Sequence, residues 1–465
     1  MKAYFFIFFF TLFSFSIFAQ FSSKVEKSSE LVSIVFRLAE AKEYVNNNLV
    51  DYINDVDQHF SAYKDHPLIS YTKEFRERYQ VGYGSVAFLS RVIIVRDGKV
   101  ALDPKIDIIN NVVDESWSEE AVQEFVYLLS DFYTKANFES FFSKHESLYT
   151  QTEMRLDKVL SKIDTAWFGA FFGDPFGDPF VVINLCNGVS NYGLTISNKD
   201  NSTSYGAIIG CTSPDSLGVP VFDSTRIIPL LVHEFCHHFS NPLVAENAEI
   251  LQPIAEKIFP FVEDKLRPKA YGHPDAIMPE SFVRMCANAY FEQFPINMAE
   301  HIIKNDELSG FIWMRNKMRF LKNFTNNRSL YPTLRYFVPQ ITAYMNSVAD
   351  NMEMELQEYA LKTPRVIAIF PEVNSEVEST IKEIRIDFSQ AMWTSSGIMG
   401  SEDEDRLAPD FTGEMDSWSE DRKTLILRVN LDKGKRYGFY LPFYAFSSMY
   451  LHNMKEDFEV KFQTK

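Results

Sequence analysis

The sequence predicts an α+β protein, a mostly helical domain with a small sheet followed by a β-sandwich, and three observations predict it. In residues 24–165, and again in 224–345, apolar residues recur at helical spacing, as Leu31, Ile34, Val35 and Leu38 do. Residues 166–222 break that pattern with short apolar runs set among Gly and Asn. After Thr363-Pro364, short strand-like runs alternate with turn signals such as Asp432-Lys433-Gly434, which is the spacing of a small sandwich.

Residues 1–19 read as an export signal. Lys2 gives a positive start, residues 5–18 form an apolar run too short to span a bilayer comfortably, and Ala19 places a small residue before Gln20. The expected mature chain is exported, periplasmic or secreted, with no stable membrane insertion once the signal is cleaved. Helical patterns follow at residues 31–38, 122–132 and 138–159. A strand at 92–95 ends at the turn signal Asp97-Gly98. Residues 180–185 read as a buried strand, Asn187-Gly188 and Asn191-Tyr192-Gly193 as a turn, and 207–209 as a second apolar run. A helix is expected to open at Ser224 or Thr225, both good caps, and to close at Asn241-Pro242. Strands are expected at 366–370, 384–388, 424–429, 437–441 and 458–462. The domain boundaries that follow are 1–19, 20–362 and 363–465.

Composition limits the functions open to the chain. It is 46% apolar and 15% aromatic, with 43 Phe, enough for a sizeable core and too much for general disorder. The 46 basic residues stand against 63 acidic ones, a net charge of -17. Such a surface repels phosphate backbones, so nucleic acid is not an expected partner. The four cysteines, Cys186, Cys211, Cys236 and Cys286, form no CxxC pair. No bridge is assigned to them, and Cys236 is read as a small buried apolar residue.

The chemistry lies in Leu230-Leu231-Val232-His233-Glu234-Phe235-Cys236-His237-His238-Phe239, which contains HExxH. Positions four apart share a helix face, so His233 and His237 can direct their imidazoles at one ion. Glu234, one position on, can reach a water bound to that ion and act as its base. Zinc held by three protein ligands keeps a fourth position open for such a water. Zn2+ is therefore the expected cofactor, and a peptide or protein the expected substrate.

A third ligand is needed. Phe239-Ser240-Asn241-Pro242-Leu243 offers no nearby His, so a carboxylate on a later helix is the expected solution. Glu280 is the candidate, in Met278-Pro279-Glu280-Ser281-Phe282-Val283-Arg284, with Pro279 suited to a first helical turn and Arg284 one turn on to orient or neutralise it. Glu246, Glu249, His273 and Asp275 compete for the role. His238 points about 100° away around the helix and is expected to pack. An extended peptide could pair with a strand edge before this helix, although no strand of residues 180–210 identifies itself as the edge. With 22 Tyr in the chain, no oxyanion-stabilising residue can be selected.

The block His233-Glu234-Phe235-Cys236-His237-His238-Phe239-Ser240-Asn241-Pro242 resembles the HEFxHxFxNP signature of the DUF4932 family, a group of exported bacterial proteins, and the resemblance implies a zinc metallopeptidase. Residues 30–44, His66-Pro67 and Gly82-Tyr83-Gly84 resemble other parts of that family. Residues 280–287 are similar to its E-x-x-V-R-A helix, with Met285 and Cys286 departing from the pattern. The resemblance spans roughly residues 25–350 and implies a zincin-like, gluzincin-type zinc site. It implies no substrate. In the last part of the chain, Phe370-Pro371 followed by Ile384-Arg385-Ile386-Asp387-Phe388-Ser389-Gln390-Ala391-Met392 resembles bacterial Ig-like domains, which act as spacers or binding modules. The expected function is peptide-bond hydrolysis. The competing function is a catalytically inactive peptidase-like protein that binds a surface partner.

Overall fold

The computed structural model describes residues 22–465 apart from 80, 112–117, 270, 295, 316, 396 and 413–416, so the export-signal reading of residues 1–19 lies outside the described residues. No helix among the described residues is long and apolar enough to cross a membrane. The chain is α+β, with helices dominant up to Lys362 and strands dominant after it. It forms two compact units, one of residues up to Ala170 with Asp174–His238, the other of Phe171–Gly173 with Phe239–Lys465.

In the first unit, four strands form one sheet: β1 (Ser23–Val25), β2 (Phe180–Asn184), β3 (Asn191–Ser197) and β4 (Thr203–Gly210). Their order is β1-β2-β4-β3. The first three run parallel, and β3 lies antiparallel to β4 at the edge. The sequence reading has no β1. The strand is three residues long, and distant partners hold it: Ser23 donates its backbone N–H to Asp157 at 2.7 Å, and Val25 donates to Glu153 at 2.9 Å.

The sequence reading also makes Asn191-Tyr192-Gly193 a turn, and this is corrected: these residues open β3. Asn and Gly are poor strand formers by propensity, but seven consecutive residues of β3 pair with β4, from Asn191 opposite Ile209 to Ser197 opposite Thr203. Tertiary pairing overrides the local preference.

Helix α1 (Lys27–Leu38) is buried from Ser28 to Leu38 on every side. Its first turn is fastened to the end of β2. Asn184 donates to the Ser29 carbonyl and hydroxyl, while the fully buried Glu30 accepts from Tyr52 Oη at 2.7 Å and from the Leu185 N–H at 2.6 Å. Burial pushes the Glu30 carboxyl up from 4.5 to about 7, against the opposing pull of the Tyr52 and Leu185 donors. The folded chain thus keeps a proton that the unfolded chain releases between these values. The stability contributed by neutral Glu30 is complete below pH 4.5 and is lost as pH rises to about 7, a swing of about 3 kcal/mol. Glu30→Gln cannot ionise and keeps an acceptor for Leu185. Urea unfolding at pH 5 and pH 8 should therefore show a smaller loss of stability in the variant than in the wild type. Equal losses would mean that Glu30 does not titrate in this window.

Helix α2 (Gly84–Val92) covers one face of the sheet, where Ala87 packs with Val182, Ile208, Tyr192 and Leu194. The expected strand at 92–95 is found as Ile93–Arg96, which turns through Asp97 and Gly98 (φ 51° and 72°) into Lys99–Leu102. Two successive positive φ values are what a tight hairpin requires, and Asp-Gly supplies them at low strain.

Helix α3 (Ser224–Glu246) is followed in the second unit by α4 (Ala248–Leu266), α5 (Ile277–Phe291) and α6 (Ile296–Leu308). After Lys362 the described residues form a two-stranded sheet of Met392–Ser395 and Phe446–Ser448, together with two larger sheets. One carries Val366–Phe370, Glu383–Phe388 and Thr424–Asn430; the other carries Arg436–Leu441 and Phe458–Thr464. Their inner faces share one core that includes Ile386, Phe388 and Leu427 from the first and Phe439, Val460 and Phe462 from the second. All five expected strands are present within a residue or two of their expected limits. Hydrogen bonds tie the strand Phe446–Ser448 to the helices of the same unit, as Lys304 donates to Ser447 and Ser448 donates to the Lys362 carbonyl.

Candidate metal centre

Helix α3 (Ser224–Glu246) carries the HExxH motif. Asp223 caps its start, accepting from Thr225 N–H at 2.9 Å and Thr225 Oγ1 at 2.8 Å. The motif alternates buried and half-buried pairs. Leu231, Val232, Phe235, Cys236, Phe239 and Ser240 are buried, while His233, Glu234, His237 and His238 are half-buried. One stripe of the helix therefore packs while the other offers polar atoms.

The expected closure at Asn241-Pro242 is corrected, because α3 runs through both residues to Glu246. An interior proline costs about 3 kcal/mol through one lost hydrogen bond and a ring clash. The buried side chains of Leu243 and Val244 on the next turn recover a similar amount, at about 1.5–3 kcal/mol each.

His233, His237 and Glu280 offer ligand atoms that all lie within 4.8 Å of one another. The two imidazoles stand nearly perpendicular, their centroids 4.9 Å apart. The four competing residues are placed elsewhere. Glu246 pairs with Arg335, Glu249 is exposed, and His273 pairs with Asp275 at 2.8 Å with both exposed. Two imidazole nitrogens and one carboxylate oxygen form a donor set suited to zinc.

Glu280 sits in the first turn of α5, and Arg284 Nη2 donates to its Oε2 at 3.0 Å. Arg284 also donates to Asp306 on α6, which accepts from Asn288 Nδ2 at 2.8 Å. Burial works against the guanidinium charge, but Asp306 and Glu280 more than offset it and hold Arg284 above its usual range. The ring of Phe311 lies 4.4 Å from the guanidinium carbon. Sequence reasoning finds Arg284 but misses Asn288 and Asp306. Residues 280, 284 and 288 repeat at four-residue spacing, a readable signal for one helix face. Asp306 has no such signal.

Glu234 lies against β3. A Cβ added to Gly193 would stand 1.8 Å from Glu234 Oε2. Successive strand residues face opposite sides of a sheet, so Tyr192 and Leu194 pack with α2 while Gly193 faces α3. The end of β3 is covered: Asp107 donates to the Ser197 carbonyl at 3.0 Å, and Ser197 donates to Asn111 Oδ1 at 2.7 Å. Over residues 191–196 the outer edge of β3 pairs with no strand among the described residues. His238 packs as expected, its ring stacked on Tyr205 at 3.8 Å and 7°. Burial holds its imidazole below the usual range, with Asp174 opposing. Cys236 is buried and unbridged, as are the other three cysteines.

Residues 20–344 match the family described as "Domain of unknown function (DUF4932)". No curated protein matches the chain. Two solved structures are similar over part of it: "Crystal structure of the S-layer protein rSbsC(31-844)", at 12% identity and a TM-score of 0.17 over 50% of this chain and 33% of that one, and "Structure of surface layer protein SbsC, domains 1-6", at 15% identity and a TM-score of 0.18 over 51% of this chain and 33% of that one. The chain thus spans about a third of the length of either.

Proposed function

We propose that this chain, which belongs to the DUF4932 family, is an exported zinc-dependent peptidase with a zincin-like, gluzincin-type catalytic domain over residues 20–362 and an Ig-like module over 363–465. The observation that carries this reading is that Glu280 of α5 comes within 4.8 Å of His233 and His237 on α3, the helix that also presents Glu234. His233, His237 and Glu280 would hold the metal. What zinc supplies there when bound is Lewis acidity, which polarises a carbonyl and lowers the pKa of a water to about 7.

The chain's own residues do the rest. Glu234 takes the proton of the attacking water and passes it to the leaving amine, a role that requires a carboxylate within hydrogen-bond reach of both. The edge of β3 at residues 191–196 supports binding of an extended peptide by strand addition, because Gly193 brings that edge to Glu234 without an intervening side chain. The Ig-like module is a spacer or binding element and takes no part in the chemistry.

The test is zinc content and cleavage of a mixed peptide library by the chain from residue 20 onward, before and after chelation. The expected result is one zinc per chain, cleavage products by mass spectrometry, and loss of cleavage on metal removal with recovery on zinc addition. A chain without zinc would sink the metal reading. A chain that binds zinc but cuts nothing in the library would favour the inactive binding protein.

A further inference from the structure

We propose that Asp306 is a positioning residue for the metal site: by balancing the charge of Arg284, it lets that guanidinium hold Glu280 without setting an uncompensated positive charge beside the bound cation. The inference rests on the zinc-site reading above and adds to it a residue from a helix outside the motif.

The observations form a chain of contacts. Arg284 Nη2 donates to Glu280 Oε2, so one carboxylate oxygen is committed to the guanidinium. The same guanidinium donates to Asp306, and Asn288 holds the other oxygen of Asp306. Glu280, Asn288 and Asp306 are each more than nine-tenths buried. Water therefore screens these charges weakly.

Arg284 alone would make a neutral pair with Glu280. A cation drawn to Glu280 would then meet a guanidinium one hydrogen bond behind it, a like charge in a dry setting. With Asp306 the trio carries a net negative charge, which favours a divalent ion. Asn288 keeps Asp306 aimed at Arg284 without adding charge. Groups that orient a metal ligand in this way typically affect metal affinity about 10–100-fold.

The test measures zinc affinity of the metal-stripped full chain by competition with a chromogenic chelator, with the thermal melt of the metal-free form recorded in parallel. Asp306→Asn keeps the shape and removes the charge, and it should raise the zinc Kd by about 10–100-fold. The same change made beside Arg284→Gln should raise it several-fold less, because there is no longer a guanidinium to balance. A purely structural role for Asp306 would cost the same in both backgrounds, and that result would overturn the proposal, as would wild-type affinity in Asp306→Asn. Should the Asn variant fail to melt cooperatively, Asp306→Glu takes its place: retained tight zinc supports charge balance, and a loss of 10-fold or more in a folded chain overturns it. Wild-type chain that binds no zinc is a different failure. It removes the site itself and the proposal with it.

Discussion

Glu234→Gln should keep one zinc per chain and cut peptide cleavage by about 10²–10⁴-fold. The substitution retains size and hydrogen-bonding capacity but removes the basicity that takes the proton of the attacking water. Glu234 is outside the ligand group of His233, His237 and Glu280, so metal content should not follow activity. Glu280→Ala gives the opposite split: zinc and cleavage are lost together, because the third ligand is gone. Zinc content by mass spectrometry and cleavage of the same peptide library read both. Full activity in Glu234→Gln would remove Glu234 from the chemistry. Retained tight zinc in Glu280→Ala would send the search for a third ligand elsewhere.

Gly193→Ala should reduce cleavage by about 10²-fold while leaving the fold intact, which is the cost of misplacing a catalytic group by about 1 Å. The added Cβ would meet Glu234 Oε2 at 1.8 Å, Cδ at 2.8 Å and Cβ at 3.1 Å. The closest of these is the far end of a flexible side chain, so the carboxylate swings aside more easily than β3 moves. The thermal melt should then shift little while turnover falls, and zinc should stay bound. A variant with wild-type turnover would show that Glu234 does not work from its seat on β3. Gly193 owes its identity to this close approach, since it is not among the glycines with positive φ.

Much of this molecule is legible in the sequence because the signals are local. HExxH places two histidines one helical turn apart whatever surrounds them, and Glu280 with Arg284 repeats the same spacing on a later helix. The strands after Lys362 are short strand-like runs bounded by turn residues, so their limits come out nearly right. Helix ends are less legible. Asn241-Pro242 carries a stop signal, yet α3 continues to Glu246 because burial of Leu243 and Val244 outweighs the local cost.

By itself the sequence determined the HExxH spacing of the candidate ligands, the mostly helical character before residue 362 and the strands after it, because periodicity and residue type act over one or two turns of chain. Only the tertiary structure decided which carboxylate joins His233 and His237, that β3 is the sheet edge beside Glu234, and that Asp306 stands behind Arg284. Those three facts join residues tens of positions apart, where spacing along the chain carries no information and only packing can choose among equally suitable side chains.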